Sequence, residues 1–171
     1  MIQRIQTLWL SLAVLLSIAA FFFPLAMFQF PYKELPLDAI YKLLAINTSP
    51  YQEVPAWSAL IMCCLSGIVG LVAIFLYKNR PLQMRIVAFA FLFSIVELAL
   101  LYFYQIDAGL TTAVTNICKG DPAQIAPTIE VAKTTWGMAS FFPIAQIIFY
   151  IFALQAIKKD EILVRSSERL R

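Results

Sequence analysis

Glu97 is the one acidic residue inside the long apolar runs of this chain, and an ionisable group at membrane depth is costly enough to count as a functional site by default. Three roles fit it. As a neutral acid it would donate a hydrogen bond to a neighbouring helix; as a titrating group it would bind a proton or cation; or it would meet a partner subunit or a lipid headgroup. Other chemistry is scarce. The sequence contains no histidine, which removes the commonest haem and zinc ligand and the usual proton shuttle near neutral pH. It has no phosphate-binding glycine loop, dinucleotide fingerprint or Gly-x-Ser-x-Gly elbow. No catalytic residue, metal site or cofactor is expected, and nucleic acid is not an expected partner.

The three cysteines do not form a redox pair by spacing. Cys63 and Cys64 are adjacent, so on a helix they point about 100° apart and lack the Cys-x-x-Cys arrangement; Cys118 stands alone. They read as small packing residues, with an internal disulfide not expected. Carboxylates in the two long connecting segments, Asp38, Glu53, Asp107 and Asp121, would support a lipid-acting enzyme only if they converged in one pocket.

The elements that must position these residues follow from composition. Hydrophobic residues make up 61% of the 171-residue chain and charged residues only 13%, against about 25% in a soluble domain. Four stretches reach the roughly 20 apolar residues that cross a bilayer core: 5–28, 57–77, 86–104 and 136–157. The first, with Arg4 before it and Pro24-Leu25-Ala26 near its end, has a faint likeness to a secretion signal; it is read as a retained span.

Basic residues orient the spans. Arg4, Lys78, Arg80, Arg85, Lys158, Lys159, Arg165, Arg169 and Arg171 are nine of the 13 and fall on one side, which is placed in the cytoplasm. The expected fold is an all-α membrane protein, a four-helix up-down-up-down bundle with both termini cytoplasmic, forming a single membrane domain over 1–171. Segments 29–56 and 105–135 are expected outside, each carrying short helices. Leu37 to Leu44 and Ala108 to Cys118 are the candidates, with Asp121-Pro122 opening a further turn. The tail 158–171 extends the fourth helix.

Counting along each span places Glu97, Gln146, Ser66 and Ser17 eleven or twelve residues from its cytoplasmic end, about 17 Å deep. One polar layer could therefore join all four helices. Ala59, Cys63, Gly67 and Gly70 recur at three- and four-residue intervals on the second helix, a small-residue face for close backbone approach, either within the bundle or to another copy in a homo-oligomer.

Three segments on the cytoplasmic side carry a resemblance: Met1 to Thr7, Phe75 to Arg85, and Ala156 to Ser166 running on to Arg171. Together they resemble an uncharacterised family of small four-span inner-membrane proteins from the Bacteroidetes group of bacteria, a domain of unknown function. The resemblance implies no activity, cofactor or catalytic residue. It does imply that the recognisable residues converge on one face. There Arg4, Asn79, Arg80, Gln83, Arg85, Lys158, Lys159, Asp160, Glu161 and Arg165 could form a polar rim, either stapling helix ends, with Asp160 and Glu161 paired to Arg4, Arg80 or Arg85, or presenting a docking surface.

The function expected from these features is non-enzymatic: an accessory or scaffolding subunit of a larger assembly in the bacterial inner membrane, with lipid and other integral membrane subunits as partners. A small transporter or channel using Glu97 as a proton or cation site is the alternative, and a lipid-acting membrane enzyme the further one.

Overall fold

The computed structural model describes residues 2–32, 35–43, 52–118 and 122–169. Six α-helices and four strands follow in the order α1 (Ile2–Ala19), β1 (Ala26–Tyr32), β2 (Leu35–Lys42), β3 (Gln52–Pro55), α2 (Trp57–Phe75), α3 (Arg80–Leu100), α4 (Ile106–Ile117), α5 (Pro122–Val131), β4 (Lys133–Trp136) and α6 (Phe142–Arg169). Three stretches are helical, long and apolar enough to cross a membrane: Trp57–Phe75, Arg80–Asn116 and Met138–Val164. A fourth apolar helix, Ile5–Ala19, is shorter. No more than 33% of any of the three long windows is buried within the chain, so most of their apolar surface is left for lipid.

The protein is thus mostly helical, with one correction to an all-α fold. The first connecting segment builds strands where a short helix was expected. Leu37 to Lys42 lies in β2, Leu44 lies outside the described residues, and the end of the first predicted span, Ala26 to Phe28, lies in β1. Pro24 explains where α1 stops: its ring has no N–H and would collide with the carbonyl four residues back, at Ala20. From there the buried and exposed residues alternate, Ala26 and Phe28 inward, Met27 and Gln29 outward, which is strand periodicity.

Two further boundaries move. Trp136 ends β4, and a 3-10 turn over Met138–Phe141 precedes α6. The helix expected to end at Tyr104 instead runs on through a π turn, Leu101–Gln105, into α4. The charged tail does extend the last helix, as far as Arg169. The turn between α2 and α3 is four residues, closed by Asn79 N–H to Leu76 O at 3.0 Å.

The chain divides into two compact units. The first comprises Met1–Ile18, Met62–Glu97 and Phe142–Arg171, and its described residues form only helical segments and the α2–α3 turn. Its core is Leu10, Ala13, Ala73, Val87, Ala90, Tyr150, Ala153 and Ile157, half of them alanine, so the helices approach closely. Gln83, Val87, Ala90, Ser94 and Glu97 form the buried stripe of α3, alternating four and three residues apart as in a left-handed helix seam.

The second unit comprises Ala19–Ile61 and Leu98–Phe141. Its strands form one sheet in the order β3-β2-β1-β4, with β1 antiparallel to both β2 and β4, and β2 parallel to β3. Pro31 and Pro36 are tolerated in central strands because they face each other beyond the reach of β4, which pairs with 26–29, and of β3, which pairs with 39–42. Gly137 follows β4 where only glycine fits: an added Cβ would strike the Pro24 carbonyl, while its N–H bonds Leu25 O at 2.8 Å.

Candidate functional site

Four helices of the first unit converge on buried polar side chains, each with a residue at the same level. Gln146 on α6 donates from Nε2 to Ser17 Oγ on α1 at 3.0 Å and accepts at Oε1 from Ser94 Oγ on α3 at 3.2 Å. Ser94 Oγ is in turn 2.7 Å from Ser66 Oγ on α2. The Tyr150 hydroxyl donates to Ser66 O at 3.1 Å and lies 3.4 Å from Ser66 Oγ. One set of donor directions satisfies the chain: Ser66 to Ser94, Ser94 to Gln146, Gln146 to Ser17, and Ser17 to Ala13 O at 3.4 Å.

Glu97 joins this network at one edge. It is 3% exposed and bonds the Cys63 side chain, whose thiol also lies 3.5 Å from Ser17 O. The thiol has one proton and two acceptors in reach. Glu97 Oε2 has no hydrogen-bond partner among the described residues.

Sequence spacing singled out Ser17, Ser66, Glu97 and Gln146, and the structure brings the first two together with Gln146 through Ser94. Ser94 and Tyr150 were missed, as was Cys63 as a partner for the acid. The first two had a signal: Ser94 is three residues before Glu97, and Tyr150 four after Gln146, each on the same helix face as its neighbour.

The small-residue face of α2 is used inside the chain. A Cβ at Gly67 would come within 3.0 Å of Ser17 Cβ, and one at Gly70 within 2.6 Å of the Tyr150 hydroxyl and 3.3 Å of Val14 Cγ2. Cys63 and Ala59 are buried on the same face. These contacts let α2 lie against α1 and α6 closely enough for short serine side chains to reach across.

A second polar cluster ties the basic ends of the helices. Arg80 on α3 places Nη2 3.1 Å from Asp160 Oδ2 and donates from Nη1 to Asp160 O on α6 at 3.2 Å. Gln83 Nε2 donates to Ala73 O at 3.0 Å, taking up one of the carbonyls left open at the end of α2. Gln6 Nε2 on α1 donates to Ala156 O on α6 at 3.2 Å. Of the other rim residues, the side chains of Asn79, Arg85, Lys158 and Lys159 are exposed and make no hydrogen bond or ion pair among the described residues. Glu161 is half-buried and has a partner. The side chains of Arg4 and Arg165 lie outside the described residues.

In the second unit, Ser140 Oγ donates to Leu25 O, and the Tyr102 hydroxyl donates to Ser140 O at 3.4 Å. Tyr102 stacks on Trp136 with ring centres 4.7 Å apart. Gln105 Nε2 donates to Ser58 Oγ. Asp107 is exposed on α4, whereas the side chains of Asp38 and Glu53, and all of Asp121, lie outside the described residues. Among the described residues no three His, Cys, Asp or Glu side chains cluster as metal ligands would.

The family described as a domain of unknown function (DUF4293) matches residues 2–170, nearly the whole chain. The chain belongs to that family. No curated protein and no solved structure was found similar to it. Membership in DUF4293 brings no activity with it, so the function of this member must be argued from its own buried polar network, its rim and its sheet.

Proposed function

We propose that this DUF4293 protein is a non-enzymatic subunit of a larger assembly in a bacterial inner membrane, which it crosses four times with both termini in the cytoplasm. The chemistry on the page supports a structural part. Buried Ser17, Ser66, Ser94 and Gln146 bond to one another, and the small-residue face is occupied by the protein's own helices. The observation that carries the accessory role is the sheet, in which β4 joins β1 from more than 100 residues away and is left as an edge strand with Thr135 and Trp136 exposed. A strand edge with no partner strand among the described residues, backed by a folded sheet, is a surface another chain can pair with. Under the proposed topology that platform stands outside the cytoplasm.

The test is isolation from native membranes in a mild detergent, with a photo-crosslinking residue at position 135. A reproducible partner joined through position 135 supports the reading; a solitary protein with no crosslink overturns it.

A second reading, a small carrier that uses Glu97 as a proton or cation site, draws on one observation: in a carboxyl that is 3% exposed, Oε2 has no hydrogen-bond partner among the described residues. Glu97→Gln separates the two. A carrier loses proton- or cation-coupled uptake in proteoliposomes, whereas a neutral helix-to-helix bond survives the exchange with assembly intact.

A further inference from the structure

The first turns of α3 and the last turns of α6 enclose an open groove of about 320 Å³ lined by Met84, Lys158, Glu161 and Ile162. Its position is defined by the sequence: the long apolar run of α3 begins at Ile86, and that of α6 ends at Ile157. The groove therefore lies where two membrane helices pass from hydrocarbon to headgroup depth. Its chemistry is mixed in a specific way. Met84 and Ile162 are apolar, and Ile162 is 58% exposed although it sits in the charged stretch of α6.

Lys158 and Glu161 are three residues apart on one helix face. Lys158 has no ion pair among the described residues, in contrast with nearby Arg80, which is matched by Asp160. Glu161 keeps its existing partner and, having two oxygens, can accept from a second donor.

We propose that this groove binds a phospholipid with a primary-amine headgroup, phosphatidylethanolamine by chemistry, its phosphate on Lys158, its ammonium on Glu161 and its upper acyl chain along Met84 and Ile162. A cation and an anion at one helical turn match a phosphate and an ammonium joined by an ethylene link. A purely anionic lipid would find Glu161 repulsive, and a choline headgroup has no N–H to donate. The proposal rests on α3 and α6 lying in a membrane and is independent of the accessory role.

The test uses full-length protein purified in dodecyl maltoside and washed free of lipid. It is offered equimolar dioleoyl phosphatidylethanolamine, phosphatidylcholine and phosphatidylglycerol, and retained lipid is counted by native mass spectrometry. One phosphatidylethanolamine should be retained, about threefold or more above phosphatidylcholine. Lys158→Gln should lower its retention about fivefold, the contribution of one basic side chain near a charged headgroup layer. Glu161→Gln should abolish the preference over phosphatidylcholine without lowering phosphatidylglycerol. Met84→Trp, which fills the groove, should lower all three, and Lys78→Gln, outside it, none. Equal retention of phosphatidylethanolamine and phosphatidylcholine, or phosphatidylglycerol above both, overturns the proposal. So does wild-type retention in Lys158→Gln at an unchanged melting temperature. Lys158 and Glu161 are not core residues, so their variants carry the test even if Met84→Trp melts early.

Discussion

The two compact units of this protein solve the same problem by opposite means. In the first, each helix satisfies its own backbone, and the side chains of Ser17, Ser66, Ser94, Gln146 and Tyr150 tie four helices together from within. In the second, the backbone itself links distant segments, β1 pairing on one side with β2 and on the other with β4, more than 100 residues away. Under the proposed topology the difference reflects solvent. Hydrocarbon offers no partner to an open strand edge, so helices are the form it tolerates, whereas a sheet with free edges is stable where water reaches it. The proposed placement of the sheet outside the membrane agrees with this.

The comparison breaks first at the glycines. Gly137→Val should have the largest effect, about 3 kcal/mol or more, because its Cβ meets the Pro24 backbone, which cannot rotate away. Loss of monodisperse protein on size exclusion is the readout. Gly70→Ala should cost about 1–3 kcal/mol, since the obstacle is the Tyr150 hydroxyl and a ring can shift a few tenths of an ångström, though it then loosens its bond to Ser66 O. If Gly70→Ala proves the worse of the two, backbone contact is not what distinguishes the sheet unit from the helical one.

Arg80→Ala comes next. Asp160 is 7% exposed, and removing its cation leaves a buried carboxylate, at a cost of about 2 kcal/mol after allowance for partial solvent access. Adding Asp160→Asn should recover about half of that loss in thermal melts in detergent. Failure to recover would mean that Arg80 acts through the Asp160 carbonyl alone. The smallest effect belongs to Gln146→Leu. Two interhelical side-chain bonds vanish, each worth about 0.6 kcal/mol in membrane proteins, so a loss of about 1 kcal/mol is expected. A much larger loss would show that the network acts as a unit.

Much of the helical unit was legible in the residues because its rules are local. That Ser17, Ser66 and Gln146 lie at one level, and that α2 carries a small-residue face, follow from counting along single helices. The sheet was not legible for a matching reason. Leu37 to Leu44 is amphipathic in a way that suits a helix or a strand over eight residues, and the choice is made by pairing with Ala26–Tyr32 and Gln52–Pro55. Likewise, Phe21-Phe22-Phe23 continues the apolar run of α1, so hydropathy alone carries the span to Phe28, although Pro24 marked the earlier stop.

What the sequence determined by itself is the material: apolar helices that belong in lipid, a basic end, one acid within the long apolar runs, and membership in a family without known chemistry. Only the tertiary structure decided which polar groups meet. Gln105 turns inward and Tyr104 outward because the π turn at Leu101–Gln105 adds a residue to the helix and shifts its inward face, and Glu97 meets a thiol rather than an amide because α2 is drawn in at Gly67 and Gly70. Hydrophobicity sets where a segment lies, but partners are chosen by the rotation and spacing of whole helices, which no single segment encodes.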